Sequence, residues 1–413
     1  MTSSAIYLTL TPHDPVIARD GRPFGAGLRM KSLDWPYPSV LAGSVRTALG
    51  KMNGGNFDDA SIGVLKAVAV HGPLPLLSGQ LYYPAPKDIL VRDSGGRCDE
   101  TYAIRPAELN SDGEGCDLPL NGLQPPMLSY RAKEEFKPAP IASFWSGDSM
   151  AAWLVNPDGL MFQSPDVSDD GTTRPAGLDL PRKESRFHTA INPESGVAKE
   201  KMLYETTGLD LALKNRHEMM EIAARIEEAG ANGKSGFATF SPFGGERRLS
   251  YWKSYEKSPV GWNCPEKVKA ALQSAVLIRM VLATPAIFAR GWMPGWIDTG
   301  TLSGTPPCAP KGLSLTLVSA CVERWRPLSG FSLEMGDVVH RSKPLRRVVP
   351  AGSVYFFRLS SGNAGDLEAC WLRPVSDDPQ DQRDGFGLAL WGIWDYERKN
   401  AGNEQKKEQN QEG

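Results

Sequence analysis

No two of the six cysteines, at 98, 116, 264, 308, 321 and 370, are close enough to make a CxxC pair. That spacing argues against a zinc ribbon and a disulfide framework, and fits free thiols in a reducing cytoplasm. The five histidines are scattered, and "HEMME" at His217 lacks the second histidine of a zinc-protease helix. No metal and no cofactor is expected. Long apolar runs are missing too: the longest tract, Ser274 to Ile297, is broken by Arg279, Pro285 and Arg290, which excludes a membrane span. The opening "MTSSAIYLTLTPHD" carries no basic region ahead of an apolar run, so secretion is not expected. Excess charge is absent as well, the formal net charge being -2. A nucleic-acid surface, if present, must be built by local clustering.

A chain of 413 residues exceeds one ordinary core and predicts two domains. "AIYLTLTPHDPVIAR" reads as a strand, and "SVLAGSVRTALGKM" as a helix with Ser39 as its N-cap. From 53 to 148, proline clusters such as "HGPLPLL" and "KPAPI" read as insertions and long loops. "MAAWLVN" at 150–156 reads as a strand closing the first domain, followed by a linker, "SPDVSDDGTTRPAG". "RKESRFHTAI" and "KEKMLYETTGLDL" read as arms of a long hairpin around "NPESG". Residues 211–230 read as the chain's clearest helix, and "CPEKVKAALQSA" as another. "GFATFSPFGGERR" reads as strand and loop. "SAVLIRMVLATP", "LSLTLVSACVERW", "GSVYFFRL" and "GFGLALWGIW" read as strands. The boundaries that follow are 1–165, 176–397 and a polar tail, 398–413, with too little apolar surface to fold.

Nucleotide hydrolysis and nucleophilic catalysis find little support. "GANGKSG" at 230–236 has the GKS of a phosphate loop, but Glu228 stands where the leading glycine belongs and the expected helix precedes the loop. No GxSxG elbow occurs. The best acid/base candidate is His188, among Arg182, Lys183 and Arg186, where a histidine can deprotonate a ribose hydroxyl or merely contact RNA.

The basic clusters are more informative. Asp14 to Lys51, Arg182 to Lys201 and Val322 to Arg358 hold six, five and seven Lys/Arg against three Asp/Glu each. Three glycine-bearing loops, "GRPFGAG", "PFGGERR" and "DQRDGFGLALWG", recur beside arginines. Small residues beside guanidinium groups let a sugar-phosphate chain lie against the backbone, and aromatics offer bases a stacking surface.

"GFGLALWGIW" resembles the glycine-rich signature of the RAMP superfamily of CRISPR-associated proteins. With "DWPYPSVLAGSVRTALG", "FHTAINPESGVAKEKMLYETTGLDL" and "FGGERR", in order from Ile6 to Trp394, the chain is similar to the third-subunit family of the type III-B Cmr effector complex. The resemblance implies an α+β fold of two ferredoxin-like βαββαβ domains, related to RNA-recognition modules, with long insertions and a hairpin thumb. It implies a non-catalytic subunit that holds the 5′ tag of the guide RNA and meets target RNA indirectly. The implied protein partners are the large polymerase-like subunit and an adjacent backbone RAMP subunit, in the cytoplasm.

By position, the implied RNA-binding set is Gly385, Phe386 and Gly387 with Arg383, Gly244 and Gly245 with Glu246, Arg247 and Arg248, and Ser39 with Arg46. The basic clusters add Arg19, Arg22, Arg182, Arg186 and His188. Arg247 stands where a third glycine is frequent, which predicts a stiffer loop. Two other functions remain open at this stage. One is a metal-independent endoribonuclease processing guide precursors with His188 as general base. The other is a purely protein-bridging subunit.

Overall fold

The computed structural model describes residues 5–19, 30, 32–55, 57–92, 98–107, 118–128, 135–157, 162–163, 177–213, 218–227, 237–255, 258–330 and 343–394. The β-branched opening forms β1 (Ala5–Pro12). Helix α1 (Pro38–Met52) begins one residue before Ser39, because a proline loses no hydrogen bond at the first helical position. Ser39 is therefore not the cap; Tyr37 is, without a side-chain cap bond. Helix α2 (Asp59–Ala67) is capped by Asp58, which accepts from the Ser61 amide at 2.8 Å.

The proline-rich region expected as loops contributes strands β2 (Ala69–Leu77), β3 (Gln80–Pro84), β4 (Ile89–Arg92), β5 (Cys98–Pro106), β6 (Pro126–Leu128) and β7 (Phe144–Ser146). β2 tolerates Pro73 because its ladder with a neighbouring strand shifts register between Ala223 and Arg225. Helix α3 (Gly147–Val155) replaces the strand expected at 150–156. A short apolar run does not distinguish the two, and the Ser146 side chain, accepting from the Ser149 amide, decides for the helix.

After β8 (Phe162–Gln163) and β9 (Gly177–Leu178), the expected hairpin forms from β10 (Arg182–Ile191) and β11 (Ala198–Asp210). Its register runs from Arg182 opposite Asp210 to Ile191 opposite Ala198, with the turn tied by the Glu194 amide to Asn192 Oδ1 at 3.0 Å.

The helix expected at 211–230 is overturned. Its described centre is strand β12 (Glu221–Glu227), buried on both faces between β1 and β2. A central strand reads as a continuous apolar run without the period-2 signal, which is how it imitates a buried helix. The remaining elements are β13 (Ala238–Pro242), β14 (Leu249–Tyr255), α4 (Glu266–Leu272), β15 (Leu277–Leu282), β16 (Ser303–Gly304), β17 (Ser314–Cys321), β18 (Arg326–Leu328), β19 (Arg346–Val348), β20 (Val354–Ser361), β21 (Arg373–Pro374), α5 (Pro379–Arg383) and β22 (Leu388–Ile393). The four strands expected near 277, 314, 354 and 388 are all present.

The fold is thus mixed, rich in strands and poor in helices. One sheet runs β13-β14-β1-β12-β2-β3-β7-β9, and another β16-β17-β20-β15-β22-β21. Each contains four antiparallel strands whose spatial order is fourth, first, third, second in chain order: β14-β1-β12-β2 and β22-β15-β20-β17. The first set spans Ala5 to Tyr255, so strands from both sides of the expected boundary at 165–176 share one sheet. β3 to β11 lie in the chain between its second and third strands.

Helix α1 covers one face of that sheet, where Leu41 and Val45 join Leu8, Leu10, Ile222 and Ala224. In the larger core, Arg279 of β15 forms a fully buried ion pair with Asp88 at 2.5 Å, and Trp153 of α3 donates to the same carboxylate at 2.8 Å. No helix among the described residues is long and apolar enough to cross a membrane. The linker from 164 to 176, the "GANGKSG" loop, Arg22 and the tail lie outside the described residues.

Candidate nucleic-acid interface

The double glycine of "PFGGERR" serves the chain's own packing. Gly244 has φ +77° and forms a parallel bridge with Ile17, and a Cβ on it would stand 2.4 Å from the Ile17 carbonyl oxygen. The Gly245 amide donates to that same oxygen at 2.7 Å. The backbone that approaches these glycines within the chain is that of Ile17, and both glycines also line the groove described next. The next two residues, Glu246 (φ +56°) and Arg247 (φ +52°), are left-handed without being glycine and are exposed. Such conformations cost on the order of 1–3 kcal/mol each. Arg248 is half-buried, and its Nε is buried without a hydrogen-bond partner.

The loop forms one wall of a groove of about 860 Å³, which Arg247 lines and Arg248 does not. A second wall is Ile17 to Arg19, and the floor is the outer face of α1. Gly43, Thr47 and Lys51 recur there every four residues, one helical turn apart, and Ser39 lies on the same stripe. A Cβ on Gly43 would meet nothing within 4 Å, and Thr47 Oγ1 donates back to the Gly43 carbonyl at 2.7 Å, keeping the floor low. Arg19, Lys51 and Arg247 are exposed at the groove, so its titratable lining is cationic. Backbone walls, small side chains and separated cations suit a sugar-phosphate chain.

Sharing Val40, Gly43, Thr47, Ser329 and Gly330 with this groove is a smaller cavity of about 290 Å³ that Ser39, Arg46, Lys66, Lys343 and Arg346 line. Arg346 grips both oxygens of Asp381 at 2.8 Å. Burial raises the Asp381 pKa while Arg346 pulls it back down. Sequence reasoning missed Thr47, Lys51, Ser329 and Gly330. The four-residue spacing on α1 was a readable signal for the first two, whereas Ser329 and Gly330 arrive from nearly three hundred residues away without a local one.

The C-terminal glycine signature is internal. Phe386 is completely buried among Ala18, Tyr37, Ile287 and Val348, so it offers no face for stacking a base. Gly385 (φ +89°) lies against the backbone of β2, where a Cβ would stand 2.5 Å from the Val70 oxygen. Gly387 (φ +79°) packs against Ser376. Arg383 bonds Gln380 within α5, and its carbonyl accepts from Arg46 at 3.2 Å. Arg46 itself pairs with Asp384 at 2.6 Å and donates from Nε and Nη2 to the Val68 carbonyl. These positions, implied as an RNA-binding set, hold α1, β2 and the α5 loop together.

The hairpin residues are apart from the groove lining. Arg182 pairs with Asp210 at 2.7 Å, and Arg186 with Glu184, whose hydrogen bond raises the Arg186 pKa further. His188 stacks on Tyr204 with ring centroids 5.1 Å apart, and its Nε2 lies 2.8 Å from Thr206 Oγ1. Phe187 and Leu203 are exposed on the same hairpin. Among the described residues, no group of three or more His, Cys, Asp or Glu is placed to hold a metal ion.

No curated protein sequence matches the chain. Among solved structures, a chain of the type III-B Cmr-beta bound to cognate target RNA and AMPPnP is 13% identical, with a TM-score of 0.45 over 85% of this chain and 86% of that one. A chain of Cmr-beta bound to cognate target RNA gives 12% identity and a TM-score of 0.45 over the same shares. A chain of the Csm3-Csm4 subcomplex of the type III-A CRISPR-Cas interference complex gives 10% and 0.37, over 87% and 94%. The family described as CRISPR-associated protein (Cas_Cmr3) matches residues 8–394, nearly the whole sequence, and the chain belongs to that family.

Proposed function

We propose that this chain is a non-catalytic, RNA-binding subunit of a type III-B CRISPR effector ribonucleoprotein in antiviral defence. In this reading it holds the 5′ tag of the guide RNA and bridges the large polymerase-like subunit to the adjacent backbone subunit in the cytoplasm. Family membership supports the setting. The observation that carries the RNA-binding role is the groove floored by the small-residue face of α1 and edged by Arg19, Lys51 and Arg247.

The repeated strand order supports two ferredoxin-like units, one built on β1, β2, β12 and β14 and the other on β15, β17, β20 and β22. Arg19, Lys51 and Arg247 meet phosphates. Arg46, Gly244, Gly245 and Gly385 to Gly387 support the walls. The hairpin from Arg182 to Asp210, exposed on much of both faces, is the thumb that reaches the guide–target duplex. The arginines beside His188 are already paired with Asp210 and Glu184, which leaves a phosphorane-stabilising role without support.

Sequencing the small RNA that copurifies with a tagged copy from its own host tests this reading. The expected result is a constant short 5′ segment joined to variable sequence, with other RAMP proteins in stoichiometric amounts. Recovery of no discrete RNA would overturn it. So would a cyclic-phosphate product from precursor RNA incubated with the purified chain in EDTA.

A further inference from the structure

A second cavity, of about 560 Å³, shares no lining residue with the groove. Leu123, Trp292, Trp325, Val348, Arg324 and Arg347 are among its walls. The β18–β19 ribbon separates the two regions. Adjacent residues of a strand point to opposite sides, so Arg346 faces the smaller cavity beside the groove while Arg347 faces this one. The Arg347 guanidinium carbon sits 4.8 Å from the ring centroid of Trp325, whose side chain remains 41% exposed.

We propose that this cavity binds one unpaired nucleobase, with the phosphate of the same nucleotide at Arg324 and Arg347. Three features support that ligand class. The cavity is concave, mainly apolar and large enough for a nucleotide. An indole and a guanidinium, stacked and partly exposed, are the surfaces on which splayed bases are held. Arg290, Arg324 and Arg347 line the cavity against one carboxylate, Glu323, and that carboxylate pairs with Lys87 at 3.0 Å. An apolar side chain from a partner would fill the same volume but has no use for that excess of positive charge. The nucleotide belongs either to RNA, which rests on the function proposed above, or to a free nucleotide, which does not.

The test uses the full chain with two probes: adenosine 5′-monophosphate, followed by calorimetry, and a labelled eight-nucleotide single-stranded RNA, followed by fluorescence anisotropy. Trp325→Ala should weaken RNA binding about tenfold, since one base–aromatic stack contributes about 1–3 kcal/mol. Trp325→Phe should restore most of it, and an abasic RNA should bind wild type no better than Trp325→Ala binds the intact strand. Monophosphate binding that Trp325→Ala removes would assign the site to a free nucleotide. RNA binding alone, with the same sensitivity, would assign it to RNA. Unchanged binding of both probes in folded Trp325→Ala and Arg347→Ala proteins would overturn the proposal. Loss of a protein partner from the purified complex, with oligonucleotide binding intact, would also overturn it. The groove variant Arg247→Ala separates the two readings, because it should weaken RNA binding while leaving monophosphate binding unchanged.

Discussion

Arg46 on α1 and Asp384, just after α5, meet at 2.6 Å with both side chains nearly out of solvent, joining the first sheet's helix to the loop that leads into the second sheet's β22. Two more of the Arg46 nitrogens reach the Val68 carbonyl. Arg46→Met should therefore destabilise the protein by about 3 kcal/mol, because it strands a carboxylate in a poorly hydrated place. The Asp384→Asn partner change should recover part of that loss in a double-mutant cycle read by thermal melting. The salt dependence of RNA binding should stay as in wild type. A slope reduced by about 0.7 would mean that Arg46 meets a phosphate after all.

Gly43 is a helical glycine with empty space above it. Glycine inside a helix costs about 0.5–1 kcal/mol relative to alanine, and no packing among the described residues accounts for it here. Gly43→Ala should raise the melting temperature and, by raising the groove floor, lower affinity for single-stranded RNA. A stabilised variant that binds RNA as wild type does would remove the helix face from the binding surface.

Arg247 combines a strained backbone with an exposed charge, so two effects of Arg247→Gly should separate cleanly. Relief at φ +52° should stabilise the fold by about 1 kcal/mol. Loss of one phosphate contact should lower the salt slope of single-strand binding by about 0.7. An unchanged slope would mean that the loop is only structural.

His71 is buried, with its Nδ1 2.9 Å from Arg225 Nη2. Burial, then the charges of Arg225 and Arg373, holds its pKa well below the usual 6.5. The unfolded chain takes up a proton near pH 6.5 that the folded chain refuses, so acid favours unfolding. Stability from this group is present above that pH and falls by up to about 1.4 kcal/mol per unit as the pH drops below it. Melting curves at pH 7.5 and 5.5 should show a larger loss for wild type than for His71→Gln, which keeps an acceptor and does not titrate. Equal losses would exclude His71 as the source.

Much of the second sheet was legible because β15, β17, β20 and β22 are β-branched and aromatic runs bounded by turn residues. The hairpin was legible too, since "NPESG" marks its turn. β12 and β2 were not. β12 is buried on both faces, which erases its period, and β2 carries two prolines, Pro73 beside a register shift in its ladder with β12 and Pro75 paired in register with Ile222. Gly244, Gly385 and Gly387, in two of the loops singled out, have left-handed backbone, but their neighbours were not legible. Whether a glycine yields to RNA or to the chain's own Ile17 depends on which segment folds back upon it.

What the sequence by itself determined is the set of local preferences: the strands of the second sheet, the long hairpin, α1 and α4, the glycines at left-handed turns, and a family signature running almost end to end. Only the tertiary structure decided which cations remain at a surface. Arg46 and Arg247 are the same side chain in sequence. One is held by Val68 and, across more than three hundred residues, by Asp384, and the other stands at a groove whose walls are Ile17 to Arg19 and α1. Those partners are set by long-range sheet pairing and burial, which no local pattern encodes.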